Sequence, residues 1–255
     1  MTLNYKKLGE GPALVILHGL FGSADNWLSI ARELENDYTL YLVDQRNHGD
    51  SPHHEDWDYK VMADDLLELL ETEGLSSAHF MGHSMGGKTV MNFALMHPEK
   101  VDKLIVADIA PRAYPVHHQE ILEGLNAIDL KNISSRKEAD DKLAEYVPIP
   151  PVRQFLLKNL TRKGQHFAWK INLKVITEKI ENVGDELDFN HSFDKATLFM
   201  GGAKSDYIQD KDRADIEKFF PDSHIIFIKD AGHWLHAEQP AAVVETVKAF
   251  LGKDQ

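Results

Sequence analysis

Ser84 is the residue of this chain whose surroundings best suit nucleophilic chemistry. It stands in the run GHSMGG, residues 82–87, after the apolar residues 78–81 and before a helical pattern. Gly-x-Ser-x-Gly between a strand and a helix predicts a sharp, strained turn that lifts the hydroxyl into the open, and the glycines leave room for it. The turn also aims the N–H of Met85 at a developing negative charge. A serine that merely caps the helix is the alternative.

The run HGLFG, residues 18–22, is a candidate for the second half of an oxyanion hole. A tetrahedral oxyanion needs two converging donors, and the serine turn supplies only one of them. The glycines of the run let the backbone approach a ligand closely, so the N–H of Leu20 is predicted to be the second donor. An ordinary strand-to-helix loop is the alternative.

A general base and an acid that orients it are expected further along the chain. His233 follows a predicted strand and a glycine, whereas most of the 14 histidines are expected at the surface. When a serine turn of this type supplies the nucleophile, the acid is expected between the serine and the histidine in chain order. Asp108 and Asp206 both qualify, because each follows a predicted strand. Either could instead be a surface turn residue, so both candidates stay open.

The elements that must position these residues alternate along the chain. Short apolar runs predict buried strands at 13–17, 39–43, 78–81, 103–107, 196–200 and 225–228. Apolar residues spaced three and four apart predict helices at 27–34, 59–73, 84–97, 211–219 and 241–251. This alternation predicts an α/β fold with a mostly parallel sheet covered by helices on both faces.

The alternation stops in residues 111–190, which predicts an inserted helical cap. Helical stretches are expected at 118–129, 135–146, 152–160 and 173–182, with no convincing buried strand, although 167–171 could be extended. Residues 1–110 and 191–255 are then the core domain. A second small domain with its own function is the alternative.

Composition excludes several classes of function. The net charge of −13 opposes binding to nucleic acid and to anionic membrane surfaces. The absence of cysteine excludes disulfides, a cysteine nucleophile and a thiolate metal site. The sequence contains no signal-peptide pattern and no apolar stretch of about 18 residues, which predicts a cytoplasmic protein. Nothing in the sequence indicates an oligomeric state.

Taken together, the motifs resemble the α/β-hydrolase superfamily, and in particular small bacterial carboxylesterases with a GHSMGG turn. The resemblance rests on HGLFGS at 18–23, DQRNHGDS at 44–51, the serine turn, DIAP at 108–111 and GHW at 232–234. It implies a Ser-His-Asp hydrolase that needs no cofactor or metal, with a cap between the sixth and seventh strands of the standard hydrolase sheet. The similar subgroup has its acid in the DIAP segment, which favours Asp108. The commoner superfamily arrangement places the acid after the following strand, where Asp206 stands. The resemblance therefore predicts Asp108 as the acid, with Asp206 as the alternative.

We therefore expect hydrolysis of small to medium, neutral carboxylic esters through an acyl-enzyme. Thioesterase, lactonase and cofactor-free perhydrolase activities would use the same triad, and a ligand-binding receptor with a hydrolase fold is the rival from another class. Serine rather than aspartate at position 84 argues against an epoxide hydrolase. Phe21, Trp27 and Trp234 are predicted to contact the substrate, although such residues more often pack in a core.

Overall fold

A seven-stranded sheet forms the centre of the molecule, as seen in a computed structural model that describes residues 1–252. The strands are β1 (Tyr5–Leu8), β2 (Ala13–Leu17), β3 (Thr39–Val43), β4 (Ala78–His83), β5 (Val101–Ala107), β6 (Leu160–Lys163), β7 (His166–Trp169), β8 (Thr197–Gly202) and β9 (Ser223–Ile228). Their order in the sheet is β1-β3-β2-β4-β5-β8-β9, and β6 pairs only with β7. All neighbours in the sheet are parallel except β1, which runs antiparallel to β3.

Helices cover both faces of this sheet. They are α1 (Leu28–Leu34), α2 (Tyr59–Glu73), α3 (Met85–Met96), α4 (Gln119–Asn126), α5 (Arg136–Leu143), α6 (Pro150–Leu157), α7 (Leu173–Glu178), α8 (Arg213–Phe219), α9 (Leu235–Glu238) and α10 (Pro240–Leu251). Because side chains alternate along a strand, Val15 and Leu17 pack in the cluster completed by α2, α3 and α8. Leu14 and Ile16 pack in the cluster completed by α1 and α10. The predicted fold class is confirmed.

The segment between β5 and β8 carries the inserted helices α4 to α7 and the β6–β7 hairpin. Its apolar side chains form a third cluster, which also includes Phe21, Met62 and Met85 from the sheet-and-helix core. The insertion follows the fifth strand of this sheet in chain order. The prediction placed the cap between the sixth and seventh strands in the standard numbering of the fold. In residues 1–252, five strands of the seven-stranded sheet precede the insertion and two follow it.

The differences from the sequence-based elements are small except in two places. The strand β1 was not predicted, and the hairpin occupies a region expected to lack strands apart from the open question at 167–171. The helix predicted at 152–160 is wrong at its end, since α6 stops at Leu157 and Leu160 begins β6. Ser84, predicted as the first helical residue, precedes α3. The last three residues of the predicted core, 253–255, lie outside the described residues.

Lys88 ties both connections of the insertion to helix α3. Its side chain is fully buried, and its Nζ donates hydrogen bonds to the carbonyl oxygens of Pro111 and Arg112 at 2.8 and 2.6 Å and of Asp185 at 2.7 Å. Burial, together with the nearby guanidinium of Arg112, lowers the pKa of Lys88 to about 7. One side chain next to the serine turn therefore holds the chain where it leaves the core and where it returns.

Replacing Lys88 with methionine is expected to lower the free energy of unfolding by about 2–3 kcal/mol, because buried carbonyl groups lose their donor. Removing a buried charge would by itself raise the free energy of unfolding. A decrease therefore shows that the loss of the hydrogen bonds has the larger effect. Urea unfolding measures the difference. Lys174→Met is the matched control, because Lys174 on α7 is 78% exposed and its ion pair with Glu178 adds little. Unchanged stability in Lys88→Met would contradict a clamping role.

Candidate active site

The turn between β4 and α3 holds Ser84 in a rare backbone conformation, with φ 53° and ψ −118°. A non-glycine residue at positive φ is strained, and the N–H of Ser84 is bound to the carbonyl of Ala107 at 3.0 Å. The flanking glycines are required sterically. A Cβ on Gly82 would lie 2.1 Å from the carbonyl oxygen of Gly86, and a Cβ on Gly86 would lie 2.6 Å from that of His18. The tight strand-to-helix turn predicted from GHSMGG is thus present.

Ser84, His233 and Asp108 form a continuous series of hydrogen bonds. The Nε2 of His233 lies 3.1 Å from the Oγ of Ser84, and its Nδ1 lies 2.7 Å from the Oδ2 of Asp108. Asp108 is fully buried, and it also has positive φ, at 52°. Its Oδ1 accepts from the N–H of Gly202 at 2.9 Å, while its Oδ2 also accepts from the hydroxyl of Ser205. The carboxylate is therefore fixed from β8 as well as from its own strand.

Asp206, the other candidate acid, does not reach the imidazole. It is exposed to solvent, and its backbone carbonyl accepts a hydrogen bond from the side chain of Gln209 at 3.0 Å. Of the two aspartates, the structure therefore places Asp108 at hydrogen-bond distance from His233.

The loop 18–22 lies directly against the serine turn. A Cβ on Gly19 would lie 3.0 Å from the Nδ1 of His83 and 3.3 Å from the Cβ of Ser84, so a larger residue here would force these neighbours to move by a few tenths of an ångström. Phe21, at φ 61°, bends the loop, and its carbonyl accepts from the Nδ2 of the buried Asn159 at 2.7 Å. The N–H group of Leu20 lies in the middle of this loop, and that of Met85 lies at the start of α3, directly after Ser84.

Neighbouring histidines are buried around His233. The Nε2 of His83 donates to the carbonyl oxygen of His233 at 2.7 Å, and the two rings are 4.7 Å apart. Burial lowers the pKa of His83 well below its usual range, that of His236 to about 4, and that of His118 as well, and in each case His233 adds to the effect. These three imidazoles are uncharged near neutral pH.

Two cavities of about 300 Å³ each meet at Ser84. The first is lined by Leu20 and by all three predicted contact residues, Phe21, Trp27 and Trp234, and the inserted segment adds Phe155. Trp27 is completely buried and its ring stacks on that of His236, so it supports the wall of this cavity without being exposed to solvent. The second cavity is lined mainly by apolar side chains, among them Tyr59, Met85, Ile109, Val116 and Val183. The serine hydroxyl therefore has space on two sides.

Several residues that shape the site were not predicted from the sequence. Asn159 contacts Phe21, which is 138 positions away in the sequence, and Ser205 contacts Asp108, which is 97 positions away. No local sequence pattern reveals contacts over such separations. The hydrogen bond from His83 to the His233 loop was also not predicted. The position of His83 next to Ser84 was the available signal.

The serine, the histidine, the buried aspartate and the loop 18–22 all follow the carboxyl ends of parallel strands, which is where open α/β sheets bind ligands. Fold and site together define a hydrolase of the serine type. The family model described as the alpha/beta hydrolase fold matches residues 12–141, and the chain belongs to this family.

Relatives match over nearly the whole chain. The sn-1-specific diacylglycerol lipase ABHD11 of Danio rerio is 37% identical over 251 residues, covering 95% of this chain and 79% of that protein. The esterase YbfF of Escherichia coli (strain K12) is 38% identical over 240 residues, covering 93% and 92%. The solved structure of a marine microorganism esterase has a TM-score of 0.95 and 44% identity, covering 98% of this chain and 99% of that one. Within residues 1–252, no helix combines the length and apolar character needed to cross a membrane.

Proposed function

We propose that this chain is a carboxylesterase in which Ser84 is the nucleophile, His233 the general base and Asp108 the orienting acid. The observation that carries the proposal is the hydrogen-bonded series from Ser84 Oγ through both ring nitrogens of His233 to Asp108, at 3.1 and 2.7 Å. Relatives named as an esterase and as a lipase, together with the marine esterase structure, support cleavage of carboxylic esters.

The reaction follows from these positions. Ser84 Oγ attacks the ester carbonyl carbon while its proton passes to His233 Nε2. The N–H groups of Leu20 and Met85 donate to the resulting oxyanion. Collapse breaks the bond to the alcohol, which leaves with the proton from His233. Water then attacks the acyl-enzyme and gives a proton to His233. The bond between Ser84 Oγ and the acyl carbon breaks, His233 returns the proton to Ser84 Oγ, and the carboxylic acid product is released.

Residues 111–190 are proposed to act as the cap that encloses the substrate, since they supply Phe155 to the first cavity and Val116 and Val183 to the second. Both cavities are near the lower end of the size range for small-molecule sites. The substrate class we propose is accordingly a small to medium, neutral ester, with its acyl and alcohol parts on opposite sides of Ser84.

The same triad can also hydrolyse thioesters and lactones or form peracids. A cytoplasmic location stays a prediction from the lack of a signal-peptide pattern and of a long apolar stretch, and the lack of nucleic-acid and membrane partners stays a prediction from the net charge.

The substrate class is tested with p-nitrophenyl esters of increasing acyl length. At roughly 30 Å³ per water-sized group, a cavity of about 300 Å³ holds about ten such groups. We expect short and medium acyl chains to react at least about tenfold faster than a chain of about 16 carbons. A thioester of the preferred acyl length is the matched alternative substrate. Equal rates for the palmitate ester and the short esters would contradict the size limit. If the protein reacted with a fluorophosphonate probe but hydrolysed no ester, that result would favour the alternative function of a ligand-binding receptor.

A further inference from the structure

The ring of Tyr207 lies flat against the ring of His233. The two ring centroids are 4.0 Å apart and the planes differ by 17°. Tyr207 comes shortly after β8, in the same loop as Ser205, which contacts Asp108. The imidazole thus has Ser84 and Asp108 at its two nitrogens and an aromatic face against its plane. The reaction steps proposed above give Tyr207 no part.

Tyr207 is itself held by a second aromatic ring. The hydroxyl of Tyr114 donates to the backbone carbonyl of Tyr207, and the two rings stack with centroids 5.3 Å apart. The guanidinium of Arg112 lies 3.8 Å from the centroid of the Tyr114 ring and is paired with Asp212 at 2.8 Å. Arg112, Tyr114, Tyr207 and His233 form a stacked column that begins at the start of the inserted segment.

The electrostatic consequence depends on the charge of His233. The face of an aromatic ring is negative, so it attracts a cation placed within about 6 Å of its centroid. His233 is neutral in the resting enzyme and becomes positively charged when it takes the proton of Ser84. An interaction that strengthens only as this charge develops stabilises the transition state more than the ground state.

We propose that Tyr207 is a positioning residue that fixes the plane of the His233 ring and stabilises its protonated form through the stacked aromatic face. This inference rests on the proposed function, in which His233 accepts a proton during ester cleavage. The active contribution is assigned to the ring rather than the hydroxyl, because Tyr207 forms its hydrogen bonds within residues 1–252 through its backbone.

Other titratable groups around His233 must be separated from this effect. Asp108 faces Nδ1, His83 at the end of β4 contacts the ring, and His236 on α9 and His118 from the inserted segment influence it electrostatically. Burial lowers the pKa of all three neighbouring histidines. These neighbours are present in the wild type and in every Tyr207 variant, so a comparison of their pH profiles isolates the effect of the Tyr207 ring.

The test compares Tyr207→Leu with Tyr207→Phe across the pH profile of ester hydrolysis. Leucine keeps an apolar contact but has no aromatic face, whereas phenylalanine keeps the face and loses only the hydroxyl. We expect Tyr207→Leu to lower kcat about fivefold, with KM changed less than about twofold. The same fivefold effect should move the midpoint of the acid limb about 0.7 pH unit lower. Tyr207→Phe should restore kcat to within about twofold and return the limb to its wild-type position.

Titration of active sites with a fluorophosphonate probe gives the concentration of competent enzyme, so partial unfolding does not enter kcat. Should Tyr207→Leu not fold, Tyr207→Met carries the same expectations. A reduced kcat with an unmoved acid limb would overturn the inference, because it would reduce Tyr207 to packing. Equal defects in the leucine and phenylalanine variants would also overturn it, because they would assign the effect to the hydroxyl. Absence of ester turnover in the wild-type protein would instead refute the proposed function.

Discussion

Replacing Ser84 with alanine is expected to lower kcat for ester hydrolysis by about 10⁴ to 10⁶-fold. The hydroxyl supplies the attacking oxygen, and no other side chain lies at hydrogen-bond distance from His233 Nε2 within the described part of the chain. A residual rate is expected, because the oxyanion donors and the cavities remain. The measurement is single-turnover or steady-state hydrolysis of a short p-nitrophenyl ester, together with labelling by a fluorophosphonate probe.

A matched variant separates loss of the nucleophile from disturbance of the turn. Ser84→Gly also lacks the hydroxyl, but glycine relieves the strain of φ 53°. It should therefore be as inactive as Ser84→Ala and more stable to urea than that variant by about 1 kcal/mol. Near-wild-type turnover in either variant would contradict the proposed mechanism. Equal stability of the two would show that the turn is not strained.

The sheet and the serine turn were predictable because their determinants are local. Strands such as β2 and β3 are apolar runs buried on both faces, and Gly82 and Gly86 stand where a Cβ would meet backbone. The sheet-edge strand β1 escaped prediction because its sequence YKKL has two exposed lysines in its middle. The β6–β7 hairpin is similar, since only Leu160 and Phe167 of its eight residues are buried.

The residue pattern by itself could not choose the acid, because Asp108 and Asp206 both follow neighbouring parallel strands, and only the family resemblance favoured Asp108. What distinguishes them is three-dimensional: the positive φ of Asp108 and the two donors that reach it from Gly202 and Ser205. Lys88 was unpredictable for a related reason. A lysine usually marks an exposed face of a helix, and its partners here are backbone carbonyls that the sequence does not distinguish from any others.

Asp108→Asn is expected to lower kcat by about 10³ to 10⁴-fold. The carboxylate of Asp108 accepts every hydrogen bond it makes: from His233 and the Ser205 hydroxyl at Oδ2, and from the Gly202 N–H at Oδ1. In an asparagine, the Gly202 donor keeps the amide oxygen at the Oδ1 position, so the NH₂ group lies toward His233. That group donates to Nδ1, which places the ring proton on Nε2.

An imidazole that carries its proton on Nε2 cannot accept one from Ser84, and the neutral amide no longer stabilises the imidazolium. The loss should therefore appear in kcat, with little change in KM or in the free energy of unfolding. Asp206→Asn is the matched control and should stay within about twofold of wild type, since exposed substitutions away from such contacts have small effects. A larger defect in Asp206→Asn than in Asp108→Asn would exchange the two assignments, because it would mean that the loop after β8 delivers its own carboxylate to His233 during turnover.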